Sequence, residues 1–105
     1  MSKGHFATGS VEGTGSAINV ELGFTPDYVR LMNVDGDATL DWTSDMPDDE
    51  GYKTVAAGAN AQINAGGITP YGGAPATAAA GFTIGVDADV NASGETIMWV
   101  AFSKE

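Results

Sequence analysis

The chain has 105 residues, no cysteine, 43% hydrophobic side chains, fifteen glycines, and fourteen acids against four basic residues, for a formal net charge of -10. That length fits one domain, residues 1–105, around one core, and the apolar content is sufficient to fold it. The acidic balance excludes the phosphate backbone of nucleic acid and anionic membrane surfaces as partners, and the missing cysteine excludes thiolate nucleophiles, thiolate metal centres and disulfides. The longest apolar runs, such as residues 97–102, are too short to span a bilayer, and Met1 to Phe6 lack the apolar stretch of a signal peptide, so assembly in the cytosol is expected.

In chain order, residues 1–16 carry Gly4, Gly9, Gly13 and Gly15 with few large apolar groups. They predict an extended N-terminal arm that packs on a neighbouring subunit or a larger assembly's surface instead of on its own core. Ala17-Ile18-Asn19-Val20-Glu21-Leu22 alternates with period two, placing Ile18, Val20 and Leu22 on the buried face of a strand. A turn at Gly23-Phe24-Thr25-Pro26-Asp27 follows, where Pro26 removes a ladder donor and fixes φ. The next strand, from Tyr28 to Val34, sets Val29 and Leu31 against Tyr28, Arg30 and Met32. Asp35-Gly36-Asp37 then turns the chain into a hairpin partner in which Leu40 and Trp42 alternate with Thr39, Asp41 and Thr43. Residues 44–51 have no periodicity and read as an exposed acidic loop with Met46 as its one core candidate.

Residues 52–57 and 61–65 each read as a strand, separated by the turn Gly58-Ala59-Asn60. From 66 to 81, five glycines, two prolines and five alanines predict a long Gly/Ala-rich loop, because Pro70, Pro75 and the glycines interrupt every helical turn. Phe82, Ile84 and Val86 alternate in a further strand. Residues 96–103 are apolar on both faces and read as a central strand, with Trp99 buried. No window of eleven or more residues shows a 3.6-residue period. The fold class is therefore all-β: a small antiparallel, jelly-roll-like β-sandwich of about seven or eight short strands.

The chemistry-bearing residue types form no catalytic constellation. His5 is the one histidine, and no Gly-x-Ser-x-Gly turn accompanies it. Seven of the fourteen acids fall between Asp35 and Glu50, where a solvated loop accounts for them. Asp87, Asp89, Asn91 and Ser93 alternate like the start of a calcium loop, but Ala92 occupies the position of its glycine and Met98 that of its closing glutamate. A polar inter-strand loop is the expectation for residues 87–95, with calcium as the alternative. No phosphate-cradling motif is present, because Gly9-Ser10-Val11-Glu12-Gly13-Thr14-Gly15 leads into a strand and no Gly-Lys-Ser/Thr follows it. Neither a cofactor nor enzymatic activity is expected.

Residues 15–31, Gly66-Gly67-Ile68-Thr69, Gly81-Phe82-Thr83-Ile84-Gly85 and Met98-Trp99-Val100-Ala101-Phe102 together resemble the pattern of small tailed-phage and prophage virion proteins, over most of the chain. The resemblance implies a capsid decoration or cement protein, a small β-domain forming homotrimers on the outside of an icosahedral head. Its partners would then be the major capsid protein and itself, and its location the virion exterior after assembly in the host cytoplasm. The Gly-Phe-x-Pro turn and the closing Trp-x-Ala strand are also similar to lectin-like sandwich domains of phage tail fibres and to H-type lectins, which makes a glycan-binding fibre or spike domain the alternative. His5 and Phe6 in the arm and Tyr71 in the Gly-rich loop are the candidate interaction residues, Tyr71 because tyrosine suits a half-wet interface.

Overall fold

The computed structural model describes residues 5–74 and 76–104, and among them every regular element is a β-strand. In chain order these are β1 (His5–Glu12), β2 (Ile18–Glu21), β3 (Tyr28–Asn33), β4 (Ala38–Thr43), β5 (Glu50–Thr54), β6 (Asn60–Tyr71), β7 (Gly81–Ile84) and β8 (Thr96–Ser103). All pairings are antiparallel, and the spatial order is β1-β8-β3-β4-β5-β6-β7-β2. The all-β fold expected from the sequence is therefore present, as one sheet curled upon itself.

The curl is made by β6. Its first half pairs with β5 and its last residues with β7, and Ile68 is opposite both Glu50 and Ile84. Between Glu50 and Gly51 the partner on β6 jumps from Ile68 to Ile63, a bulge that bends the strand and carries it into a second layer. Gly66 adopts φ +82° at this corner, a conformation that side chains with a Cβ rarely take. The Gly67 N–H donates to the Asp49 carbonyl at 3.0 Å and the Gly85 N–H to the Gly67 carbonyl at 2.8 Å, so three segments meet there.

Packing follows strand alternation. Val29, Leu31, Leu40, Trp42, Ile97, Trp99 and Ala101 point inward from β3, β4 and β8 and meet Val20, Ile68, Phe82 and Ile84 of the second layer, all of them buried. The Phe82 and Trp99 rings close the two layers edge to face, with centroids 5.6 Å apart. Met46 packs against this core, as expected for the acidic loop.

Three expectations are corrected. The predicted arm is strand β1 from His5 onward, paired with β8 from His5↔Ser103 to Glu12↔Thr96; residues 1–4 lie outside the described residues. Ala7 and Val11 face the core, and the inward residue between them is Gly9, over which the Trp99 ring lies. The Gly/Ala-rich loop is shorter than predicted, because β6 runs through Gly66 and Gly67 to Tyr71, so that of the described residues only 72–74 and 76–80 lie between β6 and β7. The glycines that suggest a loop are the corner of a bent strand. Finally, β8 lies between two neighbours, but among the described residues no second layer covers its outward side chains, and Met98 and Phe102 are exposed.

Candidate interaction surface

The outer face of the first layer is a set of cross-strand rows. One row runs Phe6–Phe102–Tyr28–Thr43, the next Thr8–Val100–Arg30–Asp41–Tyr52, and the next Ser10–Met98–Met32–Thr39–Thr54. Phe6 is 70% exposed, Met98 46% and Phe102 41%, so the apolar part is concentrated on β1, β8 and the adjoining side of β3. The Tyr28 and Phe102 rings stack in a tilted pair at 5.1 Å, which fixes the middle of the patch.

The patch ends at a polar cluster. The Asp41 carboxylate accepts from the Tyr28 hydroxyl at 2.9 Å and from Arg30 Nη1 at 3.2 Å. Burial pushes the Tyr28 hydroxyl above its ordinary pKa, and the Asp41 carboxylate beside it pushes the same way. Arg30 and Asp41 cancel each other, so these three rows carry no net charge on a strongly acidic chain, and Glu12 is in the row beyond them.

The candidate residues do not converge. Phe6 belongs to the outer face. His5 points to the other side of β1, where its ring stacks on Phe24 at 5.2 Å and an interplanar angle of 20°. Tyr71 is the last residue of β6, opposite Gly81 and half-buried; alternation from buried Ile68 puts it on the outer side of the second layer, remote from Phe6. The signal for Met98 and Phe102 was the doubly apolar pattern of residues 96–103, which fits both a covered strand and one that offers a face to a partner.

Residues 85–95 are built as a clasp. Lys53, inward on β5 beside buried Gly51, places Nζ 2.8 Å from Asp87 Oδ2 and 2.7 Å from Asp89 Oδ2, with only 15% of its side chain exposed. Asp87 Oδ1 accepts from the Asp89 and Val90 amides, so the alternating oxygens of the calcium-like pattern serve a turn and a lysine ammonium. Among the described residues no group of three His, Cys, Asp or Glu is placed to hold a metal ion. Burial, the largest influence on Lys53, favours the neutral amine, yet the hydrogen bonds and charges of Asp87 and Asp89 outweigh it and hold the pKa above the ordinary lysine value. The folded state thus binds this proton more tightly than the unfolded chain, so its stabilisation is complete below the unfolded pKa and disappears as pH rises through the folded one. Lys53→Met is expected to lower unfolding free energy by about 1–3 kcal/mol at neutral pH and to flatten the alkaline limb of the stability profile, measured by urea titration from pH 7 to 11. An unchanged alkaline limb would show that the clasp contributes nothing.

Comparison with protein-family models, curated proteins and solved structures found no match to this chain.

Proposed function

We propose that this chain is a structural virion protein that decorates the outside of a tailed-phage head and cements it by bridging neighbouring capsid subunits. The observation that carries the reading is the uncovered outer face of β1, β8 and β3, where Phe6, Met98 and Phe102 stand exposed in a neighbourhood of little net charge. Contiguous exposed apolar side chains of this kind mark docking surfaces. The likeness of residues 15–31 and 98–102 to small virion proteins supplies the class of partner, the major capsid protein. With so few cations on the chain, the contacts are apolar and hydrogen-bonded, and moderate salt leaves them intact.

Binding the assembled shell but not its free subunits would stabilise the shell by linkage. The test uses heads assembled from the capsid protein of the same genome, filled with DNA, with and without this chain. Occupied heads are expected to release DNA at a higher temperature across a range of salt concentrations. Phe6→Asp is expected to weaken attachment about tenfold or more without altering the circular dichroism, because the side chain lies outside the core. Equal release temperatures at full occupancy would overturn the cementing role. Attachment to oligosaccharides in place of heads would favour the lectin-like alternative.

A further inference from the structure

The two edges of the curled sheet are unlike. β2, at one edge, has four residues, and its Glu21 carboxylate accepts from the Ala79 amide of the neighbouring loop. It is short and charged, as edges that avoid further pairing usually are. β1, at the other edge, has eight residues, HFATGSVE, with no proline, no bulge and no ionised side chain from Phe6 to Val11. None of the usual devices blunts it.

Ladder geometry says which groups are on offer. The Gly13 N–H donates to the Glu95 carbonyl at 2.7 Å, continuing the β1–β8 register by one pair. Because an antiparallel ladder alternates, Val11, Gly9, Ala7 and His5 also turn their backbone groups towards β8, and Phe6, Thr8, Ser10 and Glu12 turn theirs outward. Among the described residues these outward amides and carbonyls have no strand beside them.

We propose that β1 pairs antiparallel with β1 of a second copy of this chain, joining two sheets edge to edge. Charge selects the occupant. A cationic partner would be drawn to the acids between Asp35 and Glu50, whereas a partner that itself carries -10 can approach closely only where carboxylates are sparse. The edge from Phe6 to Val11, backed by Met98, Val100 and Phe102, is such a place. Pairing about a twofold axis near Gly9 sets Thr8 opposite the partner's Ser10 and keeps the two Glu12 carboxylates at opposite ends. It also makes the apolar outer faces of the two copies continuous. The inference stands apart from the capsid reading, and it replaces by a pair the threefold arrangement that the resemblance implies.

The test is light scattering of the purified chain without capsids, together with amide exchange. The wild type is expected to have the mass of two 10.7 kDa chains. Thr8→Pro removes an outward donor without breaking a bond to β8, a position where an edge strand tolerates proline, and is expected to halve the mass while retaining the β spectrum. Thr8→Glu keeps every amide and is expected to do the same through like-charge repulsion on a chain that already carries -10, which covers the case in which the proline variant fails to fold. In the wild-type pair the Phe6, Thr8, Ser10 and Glu12 amides should exchange as slowly as those of Ala7, Gly9 and Val11. A single-chain mass at hundreds of micromolar, a three-chain mass, or a pair whose even-numbered amides exchange freely would each overturn the proposal.

Discussion

Trp99→Ala is expected to lower the unfolding free energy by about 3–5 kcal/mol, the cost of losing a large buried ring and leaving a cavity behind it. The ring is only 8% exposed, meets Phe82 of the opposite layer edge to face, and lies over Gly9 so closely that a methyl group there would come within 2.6 Å of it. The cavity would open where the two layers meet, with no flexible side chain on β1 able to fill it. The Nε1–H of Trp99 is buried with no acceptor among the described residues, so Trp99→Phe sheds an unsatisfied donor while keeping most of the contact area. It is expected to cost much less than the alanine variant. Denaturant titration decides: a loss below about 1 kcal/mol for Trp99→Ala would show that the ring does not hold the layers together.

Asn91→Ala is expected to cost about 2–4 kcal/mol, since one buried side chain satisfies four backbone groups from two segments. Its Oδ1 accepts from the Thr14 amide at 2.9 Å and the Gly15 amide at 3.3 Å; its Nδ2 donates to the Ser16 carbonyl at 2.7 Å and the Gly85 carbonyl at 2.9 Å. Removing it leaves partly buried polar groups from the β1–β2 turn and the β7 exit without this partner. The accompanying signature is local: faster amide exchange at Thr14 and Gly15 well below the unfolding transition. Protection unchanged at those two amides would mean that water replaces the asparagine at little cost.

The period-two pattern made β2, β3 and β4 legible, because each alternates large apolar residues with polar ones: Ile18 and Val20, Val29 and Leu31, Leu40 and Trp42. β1 was illegible for a packing reason. Its inward residues are Ala7, Gly9 and Val11, small because Trp99 occupies the space above them, and that complementarity joins positions far apart in the chain. The end of β6 was hidden by Gly66 and Gly67, whose roles at the bend appear only once Asp49 and Gly85 are brought beside them. Asn91 reads as a turn residue or a calcium ligand; that it is buried depends on the β1–β2 turn closing over its own loop. For the interaction surface, Phe6 was singled out, but its neighbours Met98 and Phe102 could not be told from core residues while it was unknown whether a second layer covered that side.

The register His5↔Ser103 puts the beginning and end of the described chain side by side, and β8 supplies both the bridge between β1 and β3 and the indole on which the layers close. On the ribosome, this segment is made after all the other strands. Until it emerges, β1 has no neighbour, β3 lacks one of its two, and the inner faces of both layers are wet. All of the pairing of β1 and that on one side of β3 therefore arrive together when β8 emerges, and until then the nascent chain carries unpaired strand margins and unfilled apolar faces. A high density of acids is useful in that interval, because self-repulsion between incomplete chains keeps them apart until the last strand inserts.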